Sequence, residues 1–134
     1  VPERHLFVGR LDGRIVAAVQ LQEPPRNNEA QAHAALLTTL FVAPWARGHG
    51  ISPRLVQAVE KQAVELGYLV LNLDLRATQD AAIQVYRGQG FERWATNPAY
   101  ALVDGEFVPG HYYSKQLRNL PKTKKPKTRK NPAK

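Results

Sequence analysis

The chain has 134 residues, which suits a single domain, and its hydrophobic fraction of 43% is sufficient for a buried core. It contains no cysteine and no methionine, which excludes disulfides, cysteine-based zinc sites and a cysteine nucleophile. The formal net charge of +8 lies in the C-terminal segment: eight basic residues and no acidic one follow from Arg118 onward, while the remainder is neutral. The charge therefore gives no reason to expect nucleic-acid binding by the folded domain.

The chain does not begin with methionine, which we interpret as trimming, processing or a fragment. No apolar run is long enough to span a membrane, and no signal peptide is visible. We therefore expect a cytoplasmic protein without a membrane partner.

The first third predicts a hairpin followed by a buried strand. A short strand is predicted from His5 to Leu11, and Asp12-Gly13 is a strong hairpin signal before a second strand, Arg14 to Leu21. A polar loop follows from Glu23 to Gln31. Ala34 to Val42 is almost wholly apolar, which is typical of a central strand covered on both faces.

The segment that follows this strand predicts an anion-binding loop at the start of a helix. Gly48 and Gly50 permit a tight turn and the close approach of a ligand, Ser52 suits an N-cap, and Pro53 suits the first helical position. Backbone amides at a helix N-terminus bind phosphate oxygens, helped by the helix dipole. The loop is not a P-loop, because no Gly-Lys-Ser/Thr follows. It is not a dinucleotide fingerprint either, because Pro53 occupies the third glycine position.

The predicted helix runs from about Ser52 to Leu66, with Gly67 just beyond its end. Its apolar stripe is expected to comprise Leu55, Val56, Val59, Ala63 and Leu66. A strand from Tyr68 to Leu75 follows and should run parallel to the strand ending at Val42.

The last part of the chain predicts one short helix and an antiparallel region. The helix is expected from Thr78 to about Arg87. Strands are predicted from Phe91 to Ala95 and from Tyr100 to Val103, on either side of Pro98. A turn at Asp104-Gly105 then leads to a last strand, His111 to Leu117.

Two motifs resemble those of the GNAT family of N-acetyltransferases. Arg47-Gly48-His49-Gly50-Ile51-Ser52 is similar to the family's Gln/Arg-x-x-Gly-x-Gly/Ala, although Ser52 replaces the usual Gly or Ala, and Leu40 to Pro44 matches the preceding Leu-x-Val-x-Pro. Gln79 to Tyr86, followed by Gly90-Phe91, resembles Asn-x-x-Ala-x-x-x-Tyr with Gly-Phe, and Gln79 stands where Asn is usual.

The resemblance implies an α/β fold with a mixed, mostly antiparallel sheet, a splayed central parallel strand pair and flanking helices. Residues 1–117 would form the acetyltransferase domain, starting at the family's second strand and lacking the usual N-terminal strand and two helices. Residues 118–134 are expected to form a basic, disordered tail, because they carry no large apolar residue beyond Leu120.

The resemblance further implies transfer of acetyl from acetyl-CoA to a primary amine by direct attack. Amides of the loop would hold the pyrophosphate, the main chain of Leu40 to Val42 would pair with the pantetheine, and the amide of Gln79 would bind the cofactor. The N–H of Val42 would stabilise the oxyanion. Tyr86 would be the catalytic residue, which supplies a proton or a hydrogen bond to the leaving thiolate. The cofactor-binding set is thus Leu40, Phe41, Val42, Arg47, Gly48, His49, Gly50, Ile51, Ser52 and Gln79. We expect no metal, since the four histidines are far apart in sequence.

The sequence leaves the base, the acceptor and the assembly open. His33, Asp74 and His111 flank predicted strands and are the candidate bases. The acceptor is a small-molecule or peptide amine; Trp45, Trp94, Tyr100 and Tyr112 are candidates for lining its pocket, although we expect most of them in the core. The family frequently forms homodimers. The alternatives are a non-catalytic acyl-CoA-binding or regulatory domain and a nucleic-acid-associated protein acting through the tail.

Overall fold

The computed structural model describes residues 3–27 and 29–118, and these form six strands and two α-helices. The strands are β1 (Arg4–Leu11), β2 (Arg14–Gln22), β3 (Ala34–Val42), β4 (Val70–Arg76), β5 (Glu92–Val103) and β6 (Glu106–Gln116). The helices are α1 (Ile51–Glu65) and α2 (Asp80–Gly88), with short 3-10 turns at Glu29–Gln31 and Pro44–Ala46. The predicted tail lies outside the described residues from position 119 onward.

The strands form a single mixed sheet in the order β1-β2-β3-β4-β6-β5. Only the β3–β4 pair is parallel, and every other neighbouring pair is antiparallel. This confirms the predicted fold class and the predicted parallel pair. Neither of the two helices in the described part of the chain combines the length and the apolar character needed to cross a membrane.

Two predicted turns close the antiparallel hairpins. Asp12 and Gly13 have φ of 51° and 80°, and Asp104 and Gly105 have φ of 51° and 78°. Two successive residues with positive φ produce the twist that joins antiparallel strands directly. The last strand is therefore longer than predicted, because pairing resumes at Glu106 immediately after the second turn.

The core lies where α1 crosses the sheet. Leu55, Val56, Val59 and Ala63 of the predicted stripe are buried there. The inclusion of Leu66 was wrong: its side chain is 40% exposed, because the helix ends at Glu65 and Leu66 is the C-cap. Gly67 follows with φ of 95°, as expected for the residue beyond a helix end.

The predicted N-cap was also wrong. Gly50 caps α1, with φ of 70° and ψ of 20°, so Ser52 and Pro53 are the second and third helical residues. The left-handed backbone at Gly50 turns the chain into the helix earlier than a serine cap would. Pro53 is still tolerated, because the first-turn N–H groups have no partner within the helix.

The parallel pair separates soon after it forms. Only Ala34, Ala35 and Leu36 of β3 are paired with β4, opposite Val70, Leu71 and Asn72. Both strands continue well beyond this ladder, to Val42 and Arg76. The sheet is therefore open between the C-terminal halves of β3 and β4, which confirms the predicted splay.

Candidate functional site

A cavity of about 820 Å³ lies where the separated end of β3 meets the N-terminal ends of α1 and α2. Every residue predicted to hold the cofactor lines this cavity except His49. The wall also includes Arg76 from β4 and Thr78, Asp80 and Ala82 around the start of α2. The two sequence motifs, about thirty residues apart, thus face the same space.

The loop before α1 presents glycines to the cavity. Gly48 and Gly50 have φ of 87° and 70°, and a Cβ built on either meets no described atom within 4 Å. Gly50 has no side chain that could cap the helix, so it leaves the first-turn amides of α1 available. No acidic residue lies in that first turn, and Arg47 lines the wall beside it. Open space, available amides and a guanidinium fit a phosphate-bearing ligand.

His49 does not line the cavity. Its Nδ1 lies 2.9 Å from the carbonyl oxygen of Ala46, within its own loop. This contact ties the loop back onto the Pro44–Ala46 turn. His49 therefore supports the shape of the loop, and its place in the predicted cofactor set rests on the motif alone.

The N–H of Val42 points toward the opening between the strands. The neighbouring Ala43 N–H donates to the oxygen of Val16 at 2.7 Å, and Val42 lies opposite Ala17. Because hydrogen-bonded and non-hydrogen-bonded positions alternate in an antiparallel pair, the N–H of Val42 is turned away from β2. Its other side is the gap left by β4, so this donor faces the cavity region.

A second cavity, of about 500 Å³, adjoins the first. The two share Leu40, Arg76, Gln79 and Ala82 as wall residues. Tyr86 lines only the second cavity, with Asp74 and Tyr100. The site therefore consists of two adjoining spaces that share wall residues from β3, β4 and the start of α2.

Tyr86 is held rigidly by the core. Its side chain is 4% exposed, and its ring packs edge-on against Phe91 with centroids 5.6 Å apart. Burial raises the pKa of the Tyr86 phenol well above its usual value. The phenol therefore stays protonated across the physiological range and is able to donate a hydrogen bond. Tyr86 is thus both a core residue and a cavity residue.

Asp74 is the only candidate base beside Tyr86 in the second cavity. Its Oδ1 accepts a hydrogen bond from the Tyr100 hydroxyl. Burial, and then this hydrogen bond, raise the pKa of Tyr100 to about 12. His33 lines a different cavity, with Asn72 and Trp94. His111 lines neither space, and its Nδ1 lies 2.8 Å from the Thr96 hydroxyl.

Tyr100 reaches Asp74 across an intervening strand. The pairing of β5 with β6 is interrupted between Asn97 and Ala101, and the Ala99 N–H donates to Oδ1 of Asn97 at 3.0 Å. The Tyr100 ring lies against the backbone of Gly110 on β6, where a Cβ would collide with it. The sequence analysis did not connect Tyr100 with Asp74 or recognise Gly110. The Asn97-Pro98 pair inside strand material was the signal for this bulge.

The expectation that most of the four large aromatic residues pack in the core was wrong. Trp45 and Trp94 are 61% and 67% exposed, and Tyr100 and Tyr112 are half-buried. None of the four belongs to the buried cluster beneath α1. The core is instead built mainly from aliphatic side chains, with Tyr86, Phe91 and Tyr113.

One side-chain group outside the site has metal-ligating character. Ligand atoms of Glu3, His5 and Glu23 lie within 4.8 Å of one another. However, Nε2 of His5 lies 2.7 Å from Glu23, and the Tyr68 hydroxyl donates to the other Glu23 oxygen at 2.5 Å. These contacts account for the group as a hydrogen-bonded cluster of side chains.

Comparison with known proteins identifies the family. The model of the Acetyltransferase (GNAT) family matches residues 1–91, which include both motifs. The chain belongs to the GNAT family. This confirms the resemblance drawn from the two motifs.

Two curated relatives match 79 residues, or 59% of this GNAT chain. An uncharacterized N-acetyltransferase in the hisH-hisA intergenic region of Azospirillum brasilense is 67% identical over that stretch, which is 47% of its own length. N-acetyltransferase 8F1 of Rattus norvegicus is 33% identical, over 34% of its length. The match thus spans about half, or less, of the curated relatives.

Solved structures share the fold. A ribosomal-protein-alanine N-acetyltransferase from Brucella melitensis aligns with a TM-score of 0.73 and 28% identity, covering 83% of this chain and 67% of that one. YncA, a putative acetyltransferase from Salmonella typhimurium solved with its cofactor acetyl-CoA, aligns with a TM-score of 0.77 and 17% identity, covering 86% and 65%. The Salmonella likeness shows the fold alone.

Proposed function

We propose that this GNAT domain transfers an acetyl group from acetyl-CoA to a primary amine by direct attack within a ternary complex. The observation that carries the proposal is the pair of adjoining cavities that share wall residues beside the opening between β3 and β4. One cavity has the amides and glycines suited to a phosphate-bearing thioester, and the other has the groups suited to an amine. The Salmonella neighbour, whose cofactor is acetyl-CoA, supports this choice of donor.

The donor would be held by the first cavity. The amides of Gly48 to Ser52 and the side chain of Arg47 would bind the pyrophosphate, because available N–H groups and a guanidinium stabilise anionic oxygens. Leu40 to Val42 line the first cavity, and their main chain would pair with the pantetheine. Gln79 is an exposed N-cap whose side chain does not cap α2, so its amide is available to the ligand. No step requires a metal.

Acetyl-CoA supplies a thioester whose carbonyl carbon accepts the amine. The N–H of Val42 would stabilise the negative charge that develops on the carbonyl oxygen. Tyr86 would donate a hydrogen bond to the departing sulfur. Because its pKa is raised, Tyr86 supports the thiolate mainly by this hydrogen bond rather than by complete proton transfer.

Asp74 is our proposed base. A primary amine reaches the site as an ammonium ion and must lose a proton before its nitrogen can attack. Asp74 would bind the ammonium and accept that proton, while the second proton released on amide formation passes to the sulfur. Asp74 is favoured over His33 and His111, because it alone shares a cavity with Tyr86.

The acceptor would be a small-molecule or peptide amine. The Brucella structure is named for ribosomal-protein alanine, which is an example of a peptide acceptor. We propose residues 1–117 as the acetyltransferase domain and 118–134 as a basic tail that takes no part in acetyl transfer.

Calorimetric titration of the full chain with acetyl-CoA, with CoA as the control ligand, tests the donor site. One-to-one micromolar binding followed by acetylation of any amine in a screen is the expected result. Binding without turnover would favour the non-catalytic acyl-CoA-binding alternative. Absence of binding would contradict the assignment of the first cavity.

A further inference from the structure

Two aromatic side chains, Tyr112 and Trp94, continue outward from the Asp74–Tyr100 pair. The ring centroids of Tyr100 and Tyr112 lie 6.0 Å apart with planes at 80°, and those of Tyr112 and Trp94 lie 5.6 Å apart with planes at 48°. Asp74 and Tyr112 are direct partners across the β4–β6 ladder. We call Asp74, Tyr100, Tyr112 and Trp94 the aromatic run.

The aromatic run lies on the sheet face away from the core. Asp74 alternates along β4 with the buried Leu73 and Leu75, so it points to the opposite face. Tyr112 shares that face as its cross-strand partner, and Trp94 is the extra residue at the bulge where the β5–β6 register shifts. These rings are therefore not packed in the core, and Trp94 is 67% exposed.

The chemistry of the run suits ammonium groups. The face of an aromatic ring is negative and attracts alkylammonium ions, and walls at an angle to one another surround a cation better than parallel walls do. The carboxylate of Asp74 adds a full negative charge at the inner end. A flat aromatic ligand would instead require parallel rings with a slot between them.

The basic side chains near the aromatic run have other partners or lie at its edges: His33 and Lys115 line one cavity with Trp94. Nζ of Lys115 is bound by Glu60 at 2.7 Å and by the oxygen of Gln89 at 2.5 Å. Arg93 contacts His111. Arg76 lines the wall shared with the first cavity, where an anionic donor would meet it. The outer part of the run, at Tyr112 and Trp94, thus has no described basic group in hydrogen-bonded contact with it.

The run extends farther than one amine requires. Asp74, Tyr112 and Trp94 lie on three successive strands, which places its ends roughly 10 Å apart. We propose that the acceptor is a linear diamine or polyamine. Asp74 receives the reacting ammonium, and Tyr112 with Trp94 holds the second, non-reacting ammonium. This inference rests on the proposed function, because it names the acceptor class of that same site.

The kinetic test compares two amines of equal length, diaminopentane and pentylamine. The wild-type kcat/KM should favour the diamine about tenfold, as expected for one additional cation–π site. Trp94→Ala should bring this ratio close to one. Phe107→Ala removes an equally exposed ring on the same hairpin and should leave the ratio unchanged.

A binding test does not depend on turnover. The chain has two tryptophans, so Trp45→Phe leaves Trp94 as the only tryptophan emitter. Diaminopentane should change its fluorescence at concentrations about tenfold lower than pentylamine, and Asp74→Asn should abolish this difference.

The two proposals fail in distinguishable ways. Equal kcat/KM for both amines would overturn the diamine inference and leave the acetyltransferase proposal standing. Diamine-selective binding without acetylation would support the aromatic run and contradict the acetyltransferase. A fluorescence response that does not distinguish the amines would overturn the inference whatever the turnover.

Discussion

Substituting Gly50 by valine should separate ligand binding from folding at the first cavity. Gly50 has φ of 70°, and a Cβ there meets no described atom within 4 Å, so the new side chain projects into the cavity rather than into the protein. Two methyl groups would then occupy the space through which phosphate oxygens approach the amides. We expect Gly50→Val to weaken acetyl-CoA binding strongly while leaving the fold intact.

The cost to folding comes from the backbone alone. A residue with a Cβ in the left-handed region lowers the free energy of unfolding by about 1–2 kcal/mol. For a domain of this size, each kcal/mol lowers Tm by roughly 3–6 °C. Loss of one or two charge-assisted hydrogen bonds to the pyrophosphate, at about 1.5–3 kcal/mol each, should raise Kd at least tenfold.

Gly67 provides the matched control. It follows the other end of the same helix, has φ of 95°, and a Cβ there likewise meets no described atom within 4 Å. Gly67→Val therefore introduces a comparable backbone strain far from the cavity. The two variants should show similar decreases in Tm.

Calorimetric titration with acetyl-CoA, together with thermal unfolding, checks this reasoning. Only Gly50→Val should lose affinity. Wild-type affinity in Gly50→Val would refute the placement of the pyrophosphate at this loop. An equal loss of affinity in Gly67→Val would show that strain in α1, and not occlusion, weakens binding.

Three further predictions concern other parts of the molecule. Tyr86→Phe should lower kcat more than tenfold with little change in acetyl-CoA affinity, and full activity would remove Tyr86 from the mechanism. Gly9→Ala should lower the free energy of unfolding, measured in urea, by about 1–3 kcal/mol, because its Cβ would lie 2.7 Å from Cγ2 of Ile51 at the start of α1. Unchanged stability would mean that the helix shifts to accommodate the added methyl group. The Tyr68 hydroxyl, and then His5, lower the pKa of Glu23 below its usual value of 4.5, so the stabilisation from Glu23 is present above that pH and is lost as the pH falls through the lowered pKa. The difference in unfolding free energy between wild type and Glu23→Gln should therefore shrink between pH 6 and pH 3, and a difference independent of pH would contradict this.

Much of the local structure could be predicted because neighbouring residues determine it. Asp12-Gly13 and Asp104-Gly105 adopt the positive φ values that these pairs favour. The spacing of Leu55, Val56 and Val59 predicted the buried side of α1. The two motifs predicted the walls of the first cavity, since each wall is a short contiguous segment.

The errors at the ends of α1 have a common cause. Ser52 is a good cap in isolation, but the chain leaves β3 through a left-handed residue, and Gly50 alone provides one next to the helix. Leu66 continues the helical spacing of apolar residues, but the helix has already ended at Glu65. Helix boundaries depend on the path of the chain before and after the helix, which local periodicity does not describe.

The hairpins, the parallel unit, the family and the segments around the first cavity could be predicted from the amino-acid sequence, because these depend on residues close together in the chain. The pairing of the strands, in contrast, places Asp74 alone among the candidate bases in a cavity with Tyr86, and it brings Tyr100 across Gly110 to Asp74. It also decided that Trp94 and Tyr112 line an outer face instead of the core. Contacts between strands distant in sequence depend on register and bulges, and a single bulge changes the face on which a side chain lies.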